Sequence, residues 1–217
     1  MVCKRLLTMR AKRTSKKEEL LDATVRLVAN SGAEAATIRA IAREAGVTDA
    51  AVYRHYESKD DLCWRAYNRI VEALAAEKRA LVTSDTPIRA KLHEWVRLSY
   101  AYYDQNPAAI KFVLAMPLVA HRSGHPAVIG QGELFLEMID RARRAGDIRP
   151  VAPEIALSHF VGIVLSIPRL IYEGTLPGPA SRYVDEAAEA AWRALRSENY
   201  DRQADSDPRS RRPERVK

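Results

Sequence analysis

A run of small and polar residues between positions 48 and 59 has the side chains needed to read nucleotide bases. Two short stretches with helical apolar spacing, which begin after Thr37 and Thr48, are separated by Ala45-Gly46-Val47. Because glycine tolerates positive φ, this tripeptide allows the tight reversal of a helix-turn-helix. The second helix of such a unit places its N-terminal side chains in the major groove, where base edges differ in donors, acceptors and methyl groups. The sequence therefore predicts contact with double-stranded DNA.

The residues of the second short helix suit both the bases and the backbone of a duplex. Small alanines permit close approach to bases, whereas Asp49 is expected to cap the helix or to accept from a cytosine amino group. The polar and aromatic side chains that follow can donate to phosphate oxygens. The predicted contacts in this stretch are Thr48, Asp49, Ala50, Ala51, Tyr53, Arg54, His55, Tyr56 and Lys59. As alternatives, Tyr53 and Tyr56 would pack the edge of the small domain, and Lys59 would be a solvated charge.

Positive charge is concentrated near the N-terminus. The formal net charge is +7, and the first 17 residues hold seven basic side chains and no acidic one. Such an arm is attracted to a polyanion, either nucleic acid or an anionic membrane surface, or it only keeps the chain in solution. The residues from Arg10 to Lys17 are candidates for a minor groove beside the main contact. Translation starting at Met9 is an alternative that would remove part of this arm.

Apolar residues recur at three-to-four-residue spacing along most of the chain, which contains only nine glycines. This pattern predicts an all-α fold of about nine helices. Ser58 is expected to begin a long helix that carries apolar residues as far as Leu81, and Pro153 to begin one that ends near Tyr172. The expected organisation is a basic arm at 1–14, a helix-turn-helix domain at 15–61, a larger helical domain at 62–197 and a disordered polar tail at 198–217.

The segment from Leu20 to Leu62 resembles the TetR family of bacterial transcriptional regulators. The elements that carry the resemblance, all in one register, are Leu21-Asp22-Ala23, Gly32, Thr37, Ile41-Ala42, Ala45-Gly46-Val47-Thr48, Val52-Tyr53, and Tyr56 before Ser58-Lys59. Two departures are Tyr56, where phenylalanine is usual, and Val28, where an aromatic residue is common. The resemblance assigns DNA contact to Thr37, Arg39, Thr48, Tyr53, His55 and Lys59. It implies an N-terminal three-helix DNA-binding domain followed by a helical ligand-binding and dimerisation domain.

The larger domain is then expected to hold a cavity for an unidentified small-molecule effector. Cavities of this kind have apolar walls with a few polar tips. The candidate lining residues, each of which could equally be ordinary core, are Tyr100, Tyr103, Phe112, Met116, His121, Met138, His159 and Tyr172. His121 and His125 are four residues apart, but Gly124 and Pro126 disfavour the helix that would bring both to one metal ion. We therefore predict no metal site and no cofactor.

The last two helices are expected to form a homodimer interface, so that two copies read a palindromic site. Small residues recur at every fourth position of the first of these helices and would allow another helix to approach closely. The predicted interface residues are Ser158, Gly162 and Ser166 on that helix, and Ala188, Ala191, Trp192 and Leu195 on the second.

Other classes of protein receive less support. The longest uncharged apolar stretch, Ile155 to Pro168, has 14 residues, fewer than the roughly 20 that cross a bilayer, and no signal-peptide core follows Lys4-Arg5. We expect a cytoplasmic chain without a membrane partner. Nucleophile elbows, zinc-protease motifs, phosphate-binding glycine loops and Cys/His clusters are lacking, which disfavours an enzyme. The predicted function is that of an effector-released repressor, with a ligand-independent architectural DNA-binding protein and a helical enzyme as alternatives.

Overall fold

The computed structural model describes residues 15–115 and 130–198, so the predicted arm and the tail beyond 198 lie outside the described residues. The described backbone forms ten α-helices and one short 3-10 helix, which confirms the all-α prediction. In chain order these are α1 (Lys16–Ala35), α2 (Ile38–Glu44), α3 (Asp49–Tyr53), α4 (Lys59–Ala76), α5 (Arg79–Thr83), α6 (Ile88–Gln105), α7 (Pro107–Ala115), α8 (Gln131–Ala145), α9 (Pro153–Tyr172), the 3-10 helix (Ala180–Tyr183) and α10 (Val184–Leu195).

The first three helices form a small unit with its own apolar centre. The hydroxyl of Ser15 caps α1 by accepting from the backbone N–H of Glu18 at 3.2 Å, as serine at this position commonly does. The helical backbone is interrupted at Gly32, where φ is 81°. Side chains from all three helices are buried together, among them Leu20, Val28, Ile41, Ala42 and Val52.

Tyr56 attaches the end of this unit to the start of α1. Its ring is 2% exposed, and its hydroxyl donates to the carbonyl oxygen of Lys17 at 3.0 Å. Burial is the main cause that raises the pKa of the phenol to about 12, so the hydroxyl remains a donor at neutral pH. The extra oxygen of tyrosine, relative to phenylalanine, therefore makes a specific contact between elements that are distant in sequence.

α4 ends earlier than its apolar pattern predicted. Regular helix ends at Ala76 and α5 begins at Arg79, whereas one helix reaching Leu81 was expected. The residue at this break is Lys78, whose side chain is fully buried. The predicted domain boundary between 61 and 62 also falls within α4, so this helix is continuous between the two regions.

The buried ammonium of Lys78 joins α4 to α6 and α8. It donates to the carbonyl oxygen of Leu74 at 3.1 Å and to Oε1 of Gln131 at 2.6 Å, and it lies 5.4 Å from the ring centroid of Trp95. A cation is favourable at the C-terminus of α4, where carbonyl groups lack helical partners. Burial nevertheless lowers the pKa of this lysine from 10.5 to about 7, because desolvation disfavours the charged form.

The larger domain is built around three aromatic rings. Phe135 of α8 stacks on Phe160 of α9 with ring centroids 4.4 Å apart, and Trp95 of α6 meets both rings edge to face at 5.6 and 6.3 Å. α10 packs against α6 and α9 of the same chain. Its inward face consists of Val184, Ala187, Ala188, Ala191, Trp192 and Leu195.

This packing corrects the predicted dimer interface. Ala188, Ala191, Trp192 and Leu195 are all at most 4% exposed within one chain, so their placement in the interface was wrong. These residues form the apolar face of α10, and this face packs against α6 and α9 of the same chain. The sequence alone does not show whether such a face contacts its own chain or a second copy. The small residues of α9, Ser158, Gly162 and Ser166, are exposed.

α9 begins at Pro153 and ends at Tyr172, as the sequence predicted. Its 20 residues are enough, by length and composition alone, to cross a membrane, and it is the one such helix among the described residues. The helix is longer than the 14-residue uncharged stretch within it, because Pro153, Glu154 and the four residues from Arg169 to Tyr172 are also helical. One face of α9 packs into the core through Ala156, Phe160, Val164 and Pro168. The opposite face leaves Ile155 48% exposed, whereas Val161, 41% exposed, borders a cavity at the side of the helix.

Replacement of Tyr56 by phenylalanine should lower the free energy of unfolding by about 1 kcal/mol, because the hydrogen bond to Lys17 is lost while the ring packing remains. Urea unfolding followed by circular dichroism measures this change. Tyr53→Phe is the matched control, since the Tyr53 side chain is 59% exposed. Equal losses in the two variants would contradict the assigned role of the Tyr56 hydroxyl.

Lys78 should make stability increase with pH. Its folded-state pKa of about 7 lies below the ordinary 10.5, so between these values the unfolded chain binds more protons than the folded chain, and raising the pH favours folding. Urea midpoints of the wild type and of Lys78→Met, compared at several pH values from 6.5 to 9, should diverge in favour of the wild type as pH rises. Lys17→Met, at an exposed position, controls for loss of a lysine, and a constant difference for Lys78→Met would contradict the prediction.

Candidate nucleic-acid interface and ligand cavity

Gly46 makes the turn between α2 and α3. Its φ is +65°, a conformation that residues with a side chain rarely adopt. The Gly46 N–H donates to the carbonyl of Arg43 at 3.2 Å, and the Val47 N–H donates to that of Ala42 at 2.9 Å. These bonds satisfy carbonyl groups at the end of α2. A β-carbon at Gly46 would meet no atom within 4 Å, so backbone geometry, and not lack of space, requires glycine here.

Two threonines cap the helices on either side of this turn. The hydroxyl oxygen of Thr37 accepts from the Ala40 N–H at 3.2 Å, and that of Thr48 accepts from the Ala51 N–H at 3.3 Å. A hydroxyl that accepts in this way keeps its own proton for donation. Both side chains are exposed, so each can still donate to a phosphate oxygen while it fixes the start of its helix.

Most of the predicted DNA-contact residues are accessible. Tyr53 is 59% exposed, although the apolar part of its ring would favour burial. The exposed residues on α2, α3 and the segment after α3 are Thr37, Arg39, Thr48, Asp49, Ala50, Tyr53, Arg54 and His55, and Ala51 is half-buried. Their accessibility is compatible with DNA contact, which stays a prediction.

Two residues of the predicted set have structural roles. Tyr56 as a DNA contact is wrong, because its ring is buried and its hydroxyl is bound to Lys17. Lys59 is half-buried, and its ammonium donates to the carbonyl of Ala33 at 2.6 Å. Lys59 thus holds the start of α4 against the end of α1, and contact between Lys59 and phosphate remains only a prediction.

α4 is fastened to α1 along a second line of contacts. The guanidinium of Arg69 donates to Glu18 at 3.0 Å and to Asp22 at 2.6 Å, both on α1. At the first turn of α4, Asp61 is 2% exposed, accepts from the Glu57 N–H at 3.2 Å and is ion-paired with Arg65 at 2.8 Å. Polar and ionic contacts therefore hold the small N-terminal unit against the first three turns of α4.

A cavity of about 240 Å³ lies among α4, α6, α7, α8 and α9. Its walls are largely apolar, and five aromatic side chains face it: Tyr67, Trp95, Tyr103, Phe135 and Phe160. Polar groups are contributed by Gln131, Ser99 and the two tyrosines. The volume lies just below the roughly 300–1,000 Å³ typical of small-molecule sites.

Of the predicted cavity residues, Tyr103 lines this cavity and five others do not. Tyr100, Phe112 and Met138 are core residues outside the lining, and the Tyr100 hydroxyl donates to the Val164 carbonyl at 3.0 Å. His159 lies on the surface 3.2 Å from Arg149, and Tyr172 is 51% exposed. These five residues therefore do not line this cavity, because helical periodicity separates apolar from polar faces but does not locate a void between helices.

Two further predicted residues, Met116 and His121, lie outside the described residues, as does His125. Conversely, sequence reasoning missed Gln131, which lines the cavity. It also missed Lys78, which does not line the cavity but donates a hydrogen bond to the Gln131 side chain. The two are 53 residues apart, and a lone lysine or glutamine on a helical pattern normally indicates a solvated position. No signal in the sequence pairs them.

Comparison with known proteins identifies the N-terminal segment. The sequence model of "Bacterial regulatory proteins, tetR family" matches residues 20–64. The HTH-type transcriptional repressor KstR2 of Rhodococcus jostii (strain RHA1) is 31% identical over 98 residues, which cover 45% of this chain and 48% of that protein. The chain thus spans about half the length of this relative. The nucleoid occlusion factor SlmA of Vibrio campbellii is 26% identical over 161 residues, which cover 71% of this chain and 82% of that protein.

The same fold occurs in solved structures. A putative TetR-family transcription regulator from Shewanella sp. PV-4 superimposes with a TM-score of 0.71 at 18% identity, covering 85% of this chain and 100% of that one. Residues 20–64 thus match the sequence model of the tetR family of bacterial regulatory proteins, and the described chain has the same fold as a solved structure described as a TetR-family regulator.

Proposed function

We propose that this protein is a transcriptional repressor that binds a palindromic operator as a homodimer and leaves it when a small molecule enters the cavity. The observation that carries the proposal is the position of α4. Its first turn supports the helix-turn-helix, and Tyr67, Val71 and Leu74 on the same helix line the cavity. Such a protein acts in the cytoplasm, where a bacterial chromosome lies.

DNA contact is supported by exposure and chemistry at α2 and α3. Thr37 and Thr48 have hydroxyl protons available, and Arg39 and Arg54 are exposed cations. These groups suit phosphate oxygens, whereas the exposed Ala50 at the start of α3 suits close approach to base edges. The half-site read by one such unit is short, so a useful operator requires two units.

Dimerisation is supported by the outer face of α9. Ile155 is 48% exposed on this apolar helix, and Ser158, Gly162 and Ser166 lie on the same face without bulky side chains. Such an apolar strip is costly to leave in water. A second α9 related by a two-fold axis would cover it, and the small residues would let the two helices approach closely.

Release of DNA is explained by the shared helices. A ligand that separates α4 from α9 would displace α4, and the contacts of Lys59 and Arg69 would carry this displacement to α1. α7 offers a parallel route, since Val113 lines the cavity and α7 packs directly on α1. Affinity for DNA falls only if the ligand prefers the conformation in which the spacing of the two helix-turn-helix units no longer matches the operator.

A ligand-independent architectural DNA-binding protein is the second candidate. The similarity to a nucleoid occlusion factor supports it, since that name describes no small molecule. The cavity favours the regulator, because an architectural protein needs no void bordered by the helix that supports its DNA-binding unit. Thermal stabilisation by metabolites distinguishes the two, since an architectural protein should show none.

Binding to DNA should depend on Tyr53 and Arg39. In fluorescence anisotropy with a duplex from the promoter of the gene itself, Tyr53→Ala and Arg39→Ala should each weaken binding about tenfold, a loss of ~1.4 kcal/mol. Affinity should fall steeply with salt, and less steeply for Arg39→Ala, which contacts fewer phosphates.

The matched control is Arg141→Ala, an exposed arginine on α8. Its affinity for the duplex should equal that of the wild type. An equal loss in Arg141→Ala, or a wild type that binds every duplex alike, would contradict the assigned interface.

The dimer should depend on the outer face of α9. Gly162→Arg places a long cation in that face, and a β-carbon there meets no atom of the same chain within 4 Å, so the protomer should still fold. Sedimentation should show a dimer for the wild type and a monomer for Gly162→Arg. Ala90→Arg on the exposed side of α6 controls for added charge, and a dimeric Gly162→Arg would refute the proposed interface.

A further inference from the structure

A buried cation lies directly behind the cavity wall. Three lining residues surround the ammonium of Lys78: the Leu74 carbonyl at 3.1 Å, Oε1 of Gln131 at 2.6 Å and the Trp95 ring at 5.4 Å. Within the described residues no carboxylate forms an ion pair with it, and the one charge that acts on it is that of the exposed Glu77. A buried charge without a counter-ion is costly, and a ligand that brings a negative charge would offset this cost.

The contact with Lys78 fixes which end of the Gln131 amide faces the cavity. An ammonium only donates hydrogen bonds, so the amide oxygen of Gln131 must be turned toward Lys78, as the 2.6 Å contact shows. The Nε2 group then remains to donate to an occupant of the cavity, which Gln131 lines. This end of the cavity therefore presents a donor, backed by a positive charge.

The remaining polar groups of the cavity supply no anion. The Ser99 hydroxyl donates to the Trp95 carbonyl at 2.8 Å, within its own helix. Burial raises the pKa of Tyr67 and of Tyr103, so both phenols stay neutral and can also donate. A ligand that satisfies this set must bring an acceptor, and a negatively charged acceptor also supplies the missing counter-ion.

We propose that the cavity binds an apolar organic carboxylate, with a carboxylate oxygen accepting from Nε2 of Gln131 and with Lys78 as the counter-ion behind that amide. The apolar part of the ligand would lie against Phe135, Phe160 and Trp95, the aromatic cluster of the core. The proposal rests on the proposed function only for the role of this carboxylate as effector. Occupation of the cavity is separable from DNA binding.

Binding should be accompanied by uptake of a proton. At pH 8 a lysine with a pKa of about 7 is mostly neutral, and a nearby carboxylate would raise this pKa and favour the ammonium. The other titratable groups around Lys78 and the cavity are Glu77 and the phenols Tyr67 and Tyr103, whose pKa values burial raises, so both phenols stay protonated. α6 and α8 present the non-titrating Trp95 and Gln131 to the ammonium. The proton is therefore assigned to Lys78.

Calorimetry on the full chain at pH 8, in two buffers that differ in ionisation enthalpy, tests both parts. The probes are decanoic acid and 2-naphthoic acid, each with its alcohol, decan-1-ol or 2-naphthalenemethanol, as the neutral match. At least one acid should bind about tenfold or more tightly than its alcohol and take up close to one proton per ligand.

Two variants separate recognition from packing. Lys78→Met should abolish the preference for the acid and the proton uptake while the alcohol still binds. Gln131→Glu places a carboxylate beside Lys78, so it should also abolish binding of the acid but not of the alcohol. Alcohols that bind as tightly as the acids, acid binding without proton uptake, retention of both properties in Lys78→Met, or no binding of any probe would each overturn the proposal.

The effector role is tested separately with the same probes. If an acid binds in the manner described and leaves the DNA affinity unchanged, the carboxylate site stands and the proposed release mechanism fails. If the acid binds and also weakens DNA binding in the wild type but not in Lys78→Met, both stand.

Discussion

The attachment of α4 to α1 is the constraint on which the rest of the structure depends. α4 is anchored where Lys59 reaches the Ala33 carbonyl, and again where Arg69 reaches Glu18 and Asp22. Between and beyond these points the same helix presents Tyr67, Val71 and Leu74 to the cavity. Because a helix is stiff along its axis, a displacement at the cavity cannot remain local to it. The small N-terminal unit and the larger helical domain are thereby expected to move together.

The sequence predicted best those elements whose cause is local. The caps at Ser15, Thr37, Thr48 and Ser58 depend on a side chain and a backbone N–H three residues later, so they could be read directly from spacing. The reversal at Gly46 depends on one residue type that tolerates positive φ. These features account for the correct prediction of an all-α chain with a helix-turn-helix.

Errors occurred where tertiary packing decides the role of a residue. Tyr56 carries a hydroxyl that suits phosphate equally well, and only the proximity of the Lys17 carbonyl reveals its use. Trp192 and its neighbours on α10 form an apolar stripe that a second copy could have covered, but α6 and α9 cover it instead. Lys78 reads as a surface residue, yet it interrupts the helical pattern because its ammonium turns inward to Gln131. Of the cavity only Tyr103 was predicted, since a void arises between helices that are far apart in sequence.

The exposure of the Arg69 contacts has a consequence for how this protein responds to its ionic environment. The Arg69, Glu18 and Asp22 side chains are one third to one half accessible to solvent, so dissolved ions weaken their attraction. The same ions would weaken the proposed attraction of Arg39 and Arg54 to a phosphate backbone. A plot of the logarithm of DNA affinity against the logarithm of salt concentration would then combine two effects. One is the weaker attraction between the protein and phosphate, and the other is the weaker ion pairing between α4 and α1. Its slope would overstate the number of phosphates touched, and the excess would measure how firmly the two helices are held together.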